Sequence, residues 1–189
     1  MRYCRSVKST IQKGVSFGVG ALGMAALAAT TVHAAETLRV RPIPHEDQVL
    51  VSFEVVDGYN DDIKDAIKSG LRTTFSYQVE LRTVAWLWLD RVIATSVVST
   101  SDRYDNLTRR HTLVRTVDGR VEGSVVTEDE DVVRRWLTSI DRFTLCSTSR
   151  LDPNRDYYVR ISASVLPNHT SVYGWTSAII GKAKFTFIP

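Results

Sequence analysis

Four consecutive carboxylates, Glu128 to Asp131, form the densest cluster of side chains in the sequence that could do chemistry. Calcium takes roughly six to eight oxygen ligands, but a calcium loop alternates its ligands and has a glycine at its sharp bend. Neither feature is present at this spacing. Thr127 followed three residues later by Glu130 matches instead a capping box, in which both side chains satisfy backbone N–H groups at the start of a helix. The sequence therefore predicts a helix with Thr127 as its N-cap.

Three histidines follow Ala35, and they lie in three separate segments: His45, His111 and His169. They lack the H-E-x-x-H spacing that places two imidazoles on one helix face, and no pair of cysteines accompanies them. His111 lies in a segment rich in Arg and Thr, and we expect its side chain to face solvent. The sequence also lacks G-x-S-x-G and Ser-x-x-Lys motifs. It therefore nominates no catalytic, metal-binding or cofactor-binding residue.

Two groups of residues are candidates for a partner or ligand surface. Trp86 and Trp88 are two residues apart, so a regular strand places both indoles on one face, either in the core or at a pocket or partner surface. Arg109 and His111 lie in the stretch "DRYDNLTRRHTLVR", where several arginines accompany Tyr104. Such residues can hold an anion, or they can cover the wet face of a sheet with long charged side chains.

The stretch "GVGALG" matches the dinucleotide-binding pattern G-x-G-x-x-G, but that pattern functions only between a strand and a helix. Here it lies in an uncharged run of 19 residues, Gly14 to Val32, after four basic residues and before "TVHAAE". This order is typical of a secretory signal peptide. The sequence predicts a leader over residues 1–34, cleavage after Ala34 or Ala35, and a periplasmic protein. The alternative is an inner-membrane anchor over residues 14–32, since about 17–25 residues span a bilayer.

Export changes the charge of what remains. The sequence has 24 basic and 21 acidic residues, a net charge of +3, and four basic residues precede Glu36. The remainder has 20 basic and 21 acidic residues, a net charge of −1, so nucleic acid is not an expected partner. Membrane contact is expected only through the N-terminal segment if it is not cleaved. Cys146 is then the lone cysteine, which excludes an internal disulfide and favours a buried, inert thiol.

Alternating apolar residues predict strands in "VLVSFEVVDG", "TFSYQVELRTV", "DYYVRISASVL" and "KFTFIP". "AWLWLDRVIATSVVST" alternates less and predicts a more deeply buried strand with a bend near Asp90. Asp118-Gly119 is a two-residue turn signal and predicts a hairpin in "LTRRHTLVRTVDGRVEGSVVT". Helices are predicted in "NDDIKDAIKSG", with Asn60 as N-cap and Gly70 at the end, and in "TEDEDVVRRWLTSID". The residues between Pro167 and Gly181 are predicted as loop.

The order of these elements decides the fold class. Strands that follow one another through tight turns favour an antiparallel sheet, whereas a parallel doubly wound sheet needs a helix between most strands. The sequence predicts a mainly antiparallel β, or α+β, fold. We expect one domain over residues 38–189, a single sheet or sandwich-like arrangement with two short amphipathic helices.

Several segments in order resemble the bacterial DUF4390 family: "VSFEVVDGYNDDIKDAIKSGLRTTFSYQVEL", "DRYDNLTRRHTLVR", "TEDEDVVRRWLTSIDRF", "YYVRISASVLP" and "FTFIP". The resemblance covers roughly Leu38 to Pro189. It implies a Gram-negative envelope protein without an assigned function or known catalytic residues. It also implies a link to a membrane sensor kinase, which such genes often neighbour.

Two functions from different classes remain open. The first is a non-enzymatic periplasmic module that binds a partner protein or an apolar ligand and informs a membrane sensor. The second is a hydrolase or transferase that acts on envelope material through a dispersed site. An apolar groove floored by Trp86 and Trp88 favours the first. Convergence of His111 with Asp105 and a serine or carboxylate favours the second.

Overall fold

Alternation of apolar and polar residues makes most of this chain extended, and a computed structural model describes how the strands pair over residues 37–83, 90–167 and 178–188. The strands are β1 (Thr37–His45), β2 (Gln48–Val56), β3 (Thr73–Thr83), β4 (Arg91–Asp105), β5 (Arg110–Val117), β6 (Arg120–Thr127), β7 (Ser139–Ser147), β8 (Asp156–Pro167) and β9 (Ile179–Thr186). The helices are α1 (Asp61–Lys68) and α2 (Glu130–Thr138). The predicted class, mainly antiparallel β with two short helices, is confirmed.

The strands form two antiparallel sheets. The smaller sheet has the order β1-β2-β7, and the larger has the order β6-β5-β4-β3-β8-β9. The predicted hairpin is the β5–β6 pair, in which Val117 lies opposite Arg120. Asp118 and Gly119 both have positive φ, 48° and 81°, as a tight turn that matches strand twist requires.

The core lies between the sheets and under the helices. Every second residue of β3 is buried, from Thr73 to Thr83, because a strand turns alternate side chains to one face. Phe53 of the smaller sheet meets Tyr77 of the larger edge-on, with ring centroids 4.9 Å apart. The Tyr77 hydroxyl also donates to the carbonyl of Leu137, at 2.5 Å. This bond ties the end of α2 to the sheet, because carbonyls in the last helical turn have no partner within the helix.

Gly181 in β9 allows a close approach of β1. A Cβ placed at this position lies 2.9 Å from the carbonyl oxygen of Leu38 and 2.9 Å from the side chain of Val40. A real Cβ does not tolerate such distances, so the contact between these two strands depends on the missing side chain.

The start of each helix tests a predicted cap. Asn60 caps α1 as predicted, since its side chain accepts a hydrogen bond from the Ile63 N–H at 3.0 Å. The prediction of Thr127 for α2 is wrong: the N-cap is Asp129, whose carboxylate accepts from the Asp131 N–H at 2.8 Å. Thr127 lies two residues earlier and accepts from the Asp129 N–H at 3.0 Å, because the chain is still extended there as the end of β6.

Three further predictions are corrected. The helix predicted up to Asp141 ends at Thr138, and β7 begins at the next residue. β4 alternates regularly rather than being buried on both faces, and Val97 is 40% exposed on the outer face. β1 and the start of β9 at Ile179 were not predicted. β1 contains Pro42 and Pro44, which are tolerated because it pairs only with β2 within the described residues.

Several predictions concern residues outside the described ranges. They are the leader over residues 1–34, the Trp86 and Trp88 pair, and His169. None of the described helices is long and apolar enough to cross a membrane.

Candidate functional site

His111 is buried rather than turned to solvent, which corrects the expectation for this residue. Its Nδ1 lies 2.7 Å from Oδ2 of Asp102, and only 11% of its side chain is exposed. Asp102 on β4 pairs in register with Leu113 on β5, two residues from His111. The two side chains therefore lie diagonally on the inward face of neighbouring strands, within reach of each other.

Tyr104 covers one side of the imidazole. It lies directly opposite His111 in the β4–β5 register, and the two ring centroids are 4.6 Å apart with an angle of 39° between the planes. The imidazole is thus held by a hydrogen bond at one nitrogen and by an aromatic ring against its plane. This fixes its orientation, because both contacts constrain the ring.

Asp102 is a fully buried carboxylate with one oxygen used. Its Oδ2 bonds to His111, whereas its Oδ1 has no hydrogen-bond partner within the described residues. Burial raises the pKa of Asp102, and the hydrogen bond and charge of His111 partly oppose that rise. Thr73 lies opposite Asp102 in the β3–β4 register, and its hydroxyl is also buried without a partner there. Unpaired buried polar atoms cost stability, so this pair marks a polar site inside the core.

His111 and Arg109 line one cleft of about 340 Å³ beside this pair. The cleft lies between α1, the turn before β5 and the start of α2, and its cationic and anionic side chains come from all three. They are Lys64, Lys68, Arg109, Glu128 and Glu130. Arg109 has a φ of 57°, a conformation that costs a non-glycine residue energy and often occurs at functional sites. The structure therefore brings together two of the four predicted surface residues.

Tyr59 forms another wall of the cleft. Burial raises its pKa to about 12, and the nearby carboxylates of Glu130 and Asp102 act in the same direction. The Lys64 ammonium lies 5.8 Å from the Tyr59 ring centroid and 3.0 Å from Asp61. Tyr59 thus keeps its proton at neutral pH and can act as a hydrogen-bond donor in the cleft.

Asp105 does not join His111. Its carboxylate accepts from the N–H groups of Leu107, at 2.8 Å, and Thr108, at 3.3 Å. These bonds hold the pKa of Asp105 below its ordinary value and shape the turn that carries Arg109. The role that we expected for Asp105 near His111 belongs to Asp102, three residues earlier.

The site contains an oriented imidazole, but no nucleophilic side chain among the described residues is hydrogen-bonded to it. A carboxylate that holds one ring nitrogen is how many enzymes orient a general base. Among the described residues, however, no serine, threonine or cysteine is hydrogen-bonded to His111, and no group of three or more potential metal ligands converges. Cys146 is buried in β7, and burial raises the pKa of its thiol.

Sequence reasoning missed Asp102 and Tyr59. A signal for Asp102 exists, because it continues the alternation of Val98 and Thr100 along β4 and so falls on the buried face. The charged residues that dominate the segment "DRYDNLTRRHTLVR" conceal this alternation.

The family model of a domain of unknown function, DUF4390, matches residues 33–168 of the chain. No curated protein and no solved structure matches the chain.

Proposed function

Because the chain belongs to the DUF4390 family, we propose that it is an exported, non-enzymatic module of the cell envelope that binds a partner protein at the cleft lined by Arg109 and His111. The partner that we propose is a membrane sensor protein, for which the module is accessory. The leader over residues 1–34 carries the chain to the periplasm in this proposal.

One observation supports the proposal: Arg109, the last residue of the turn between β4 and β5, and His111 on β5 meet charged residues of both helices in a single cleft. Several elements must fold together before this surface exists. Surfaces of this kind bind macromolecules through many polar contacts, and charge complementarity then determines partner choice and association rate.

The charges on the rim favour a protein partner over an apolar ligand. Lys68 and Arg109 are exposed cations, and Glu128 and Glu130 are exposed carboxylates around the start of α2. Glu128 is paired with Arg110 at 3.0 Å. Arg109 has no ion pair within the described residues. A partner with both acidic and basic side chains can match this pattern, whereas an apolar molecule leaves these charges unpaired at a cost.

Site-specific photo-crosslinking in intact cells tests the proposal. A photoreactive amino acid is placed at Lys68 of α1 or at Arg109 of the turn before β5, both of which line the cleft, and at Arg120 as the control. Arg120 is an exposed arginine at the start of β6 and does not line the cleft. We expect the same envelope protein to be captured from Lys68 and Arg109 and not from Arg120.

Charge reversal gives a second readout. Arg109→Glu should reduce capture in a pull-down about tenfold or more, and Arg120→Glu should leave it unchanged. Equal capture from all three crosslinking positions, or none from the rim, contradicts the proposal. Identification of the captured protein as something other than a sensor rejects the accessory role alone.

A hydrolase or transferase acting on envelope material is the second candidate. The observation in its favour is the imidazole of His111, held at Nδ1 by Asp102 in a cleft that also contains carboxylates. A zymogram on whole peptidoglycan tests this candidate. It predicts clearing by the wild-type protein that is lost in His111→Gln and kept in His45→Gln, since His45 is exposed in β1.

A further inference from the structure

Arg115 is a half-buried cation without an ion pair among the described residues. It lies on the inward face of β5, opposite Gly123 of β6, and its Nε is buried without a hydrogen-bond partner there. Burial lowers the pKa of Arg115, and the negative charge of Glu122 opposes this effect. The two side chains are not within salt-bridge distance of each other. Buried charges in proteins are normally paired, so this guanidinium lacks the partner that its position requires.

Trp136 of α2 holds the guanidinium from one side. The Arg115 Cζ lies 4.4 Å from the centroid of the indole, a cation–π contact. The indole N–H is itself buried without an acceptor in the described part of the chain. Gly123 lies beside the indole, and a Cβ there would be 3.7 Å from the indole edge, an ordinary contact.

A groove of about 250 Å³ runs past Arg115 between the larger sheet and β7. Its apolar walls include Val117 of β5 and Ile140 and Phe143 of β7. Arg142 contributes a second cation, and Glu122 and Asp141 contribute carboxylates. The groove shares no residue with the cleft lined by Arg109 and His111.

The β7 wall is shaped by a bulge. Two residues, Asp141 and Arg142, lie opposite the single residue Ser52 of β2, and Arg142 has a φ of 51°. The Ser52 hydroxyl donates to Asp141 at 2.7 Å and accepts from the Arg142 N–H at 3.0 Å. The acid on this wall is thus engaged by Ser52, and bulges of this kind commonly re-aim side chains at binding sites.

We propose that this groove binds a small ligand with a carboxylate on an apolar chain. The guanidinium of Arg115 pairs with the carboxylate, and the chain packs against Val117, Ile140 and Phe143. A guanidinium suits this role, because its planar donors match the two oxygens of a carboxylate and it is weakly hydrated. This site is independent of the partner surface proposed above.

Nuclear magnetic resonance of the 15N-labelled exported protein tests the inference. The chain contains four tryptophans, and Trp136→Phe assigns the indole signal of Trp136 by its disappearance. The probe is hexanoate, compared with uncharged hexanamide and with inorganic phosphate. We expect hexanoate to move the Trp136 signal saturably and to leave the other indole signals in place. Neither hexanamide nor phosphate should do so at the same concentration.

A matched pair of variants tests the role of Arg115. Arg115→Met should weaken the response to hexanoate about tenfold or more, whereas Arg120→Met removes the same charge outside the groove and should respond as the wild type. Arg115→Lys should lie between them, since it keeps the charge but loses the planar donors. The unmoved amide signals report whether each variant is folded.

Three results overturn the inference. An equal shift with hexanamide would mean that binding does not require the negative charge. An equal shift with phosphate would mean that binding does not require the apolar chain. If hexanoate causes no shift, the groove is not a binding site for this class of ligand. All three use the wild-type protein, so they decide the matter without any variant.

Discussion

Nδ1 of His111 lies 2.7 Å from Oδ2 of Asp102, and the carboxylate is completely buried. This is a hydrogen-bonded pair between two neighbouring strands inside a hydrophobic core, with one carboxylate oxygen left unpaired among the described residues. Each partner makes the burial of the other tolerable. The pair therefore links the stability of the fold to the shape of the cleft that His111 lines.

His111→Leu should cost about 3–5 kcal/mol of unfolding free energy, because it leaves a buried carboxylate without its partner. Urea denaturation measures this cost. Arg110→Leu is the matched control on the same strand, where loss of an exposed ion pair with Glu128 should cost only about 0–1 kcal/mol. Similar costs for both variants would mean that the pair contributes nothing beyond a surface contact.

The pH dependence of stability follows from Asp102. Burial raises its folded pKa above the ordinary value of 3.8, so the folded protein retains a proton where the unfolded chain has lost it. The linked stability is fully present below the unfolded pKa and declines as pH rises through the folded pKa. As pH rises above the ordinary value of 3.8, the wild type should lose stability relative to Asp102→Asn. A constant difference between the two would contradict burial as the cause.

The N-cap of α2 predicts which of two substitutions destabilises the protein more. Asp129→Ala should cost about 0.5–2 kcal/mol, because its carboxylate accepts from the N–H groups of Asp131 and Val132. Thr127→Ala should cost less, since Thr127 bonds only to the N–H of the cap residue. Thermal melts compare the two variants. The reverse order would restore Thr127 as the cap.

Gly181→Ala should destabilise the fold by about 1–3 kcal/mol through overpacking against Leu38, because the new Cβ meets backbone as well as side chain. Gly123→Ala on β6 is the matched control, since its nearest neighbour lies at an ordinary 3.7 Å. Chemical denaturation of both variants checks the difference. An unaffected Gly181→Ala protein would exclude the close approach of β1 and β9.

Export predicts the N-terminus of the protein recovered from the envelope fraction. Edman sequencing should begin at Ala35 or Glu36, because the small residues of "TVHAAE" fit a signal peptidase site. A chain that begins at Met1 or Arg2 in washed membranes supports the anchor alternative instead.

The strands β2, β3 and β8 and the β5–β6 hairpin could be predicted because their signals are local. Alternation in each strand reflects which side chains face the core, and Asp118-Gly119 fits one type of turn. β1 was missed although Leu38 and Val40 alternate with arginines, because Pro42 and Pro44 are disfavoured within strands. The helix predicted up to Asp141 was too long, since Ser139 onward pairs with β2 and distant pairing overrides local preference.

The sequence by itself determined the fold class, the caps within one residue or two, and the presence of Arg109 and His111 in a charged segment. Only the tertiary structure decided that His111 is buried and bonded to Asp102, and that Arg115 stacks on Trp136. These relationships join different strands and a helix, and they depend on register and on the packing of α2. A linear pattern records the periodicity of each element but not the alignment of one element against the next, because that alignment is set by burial of the whole core.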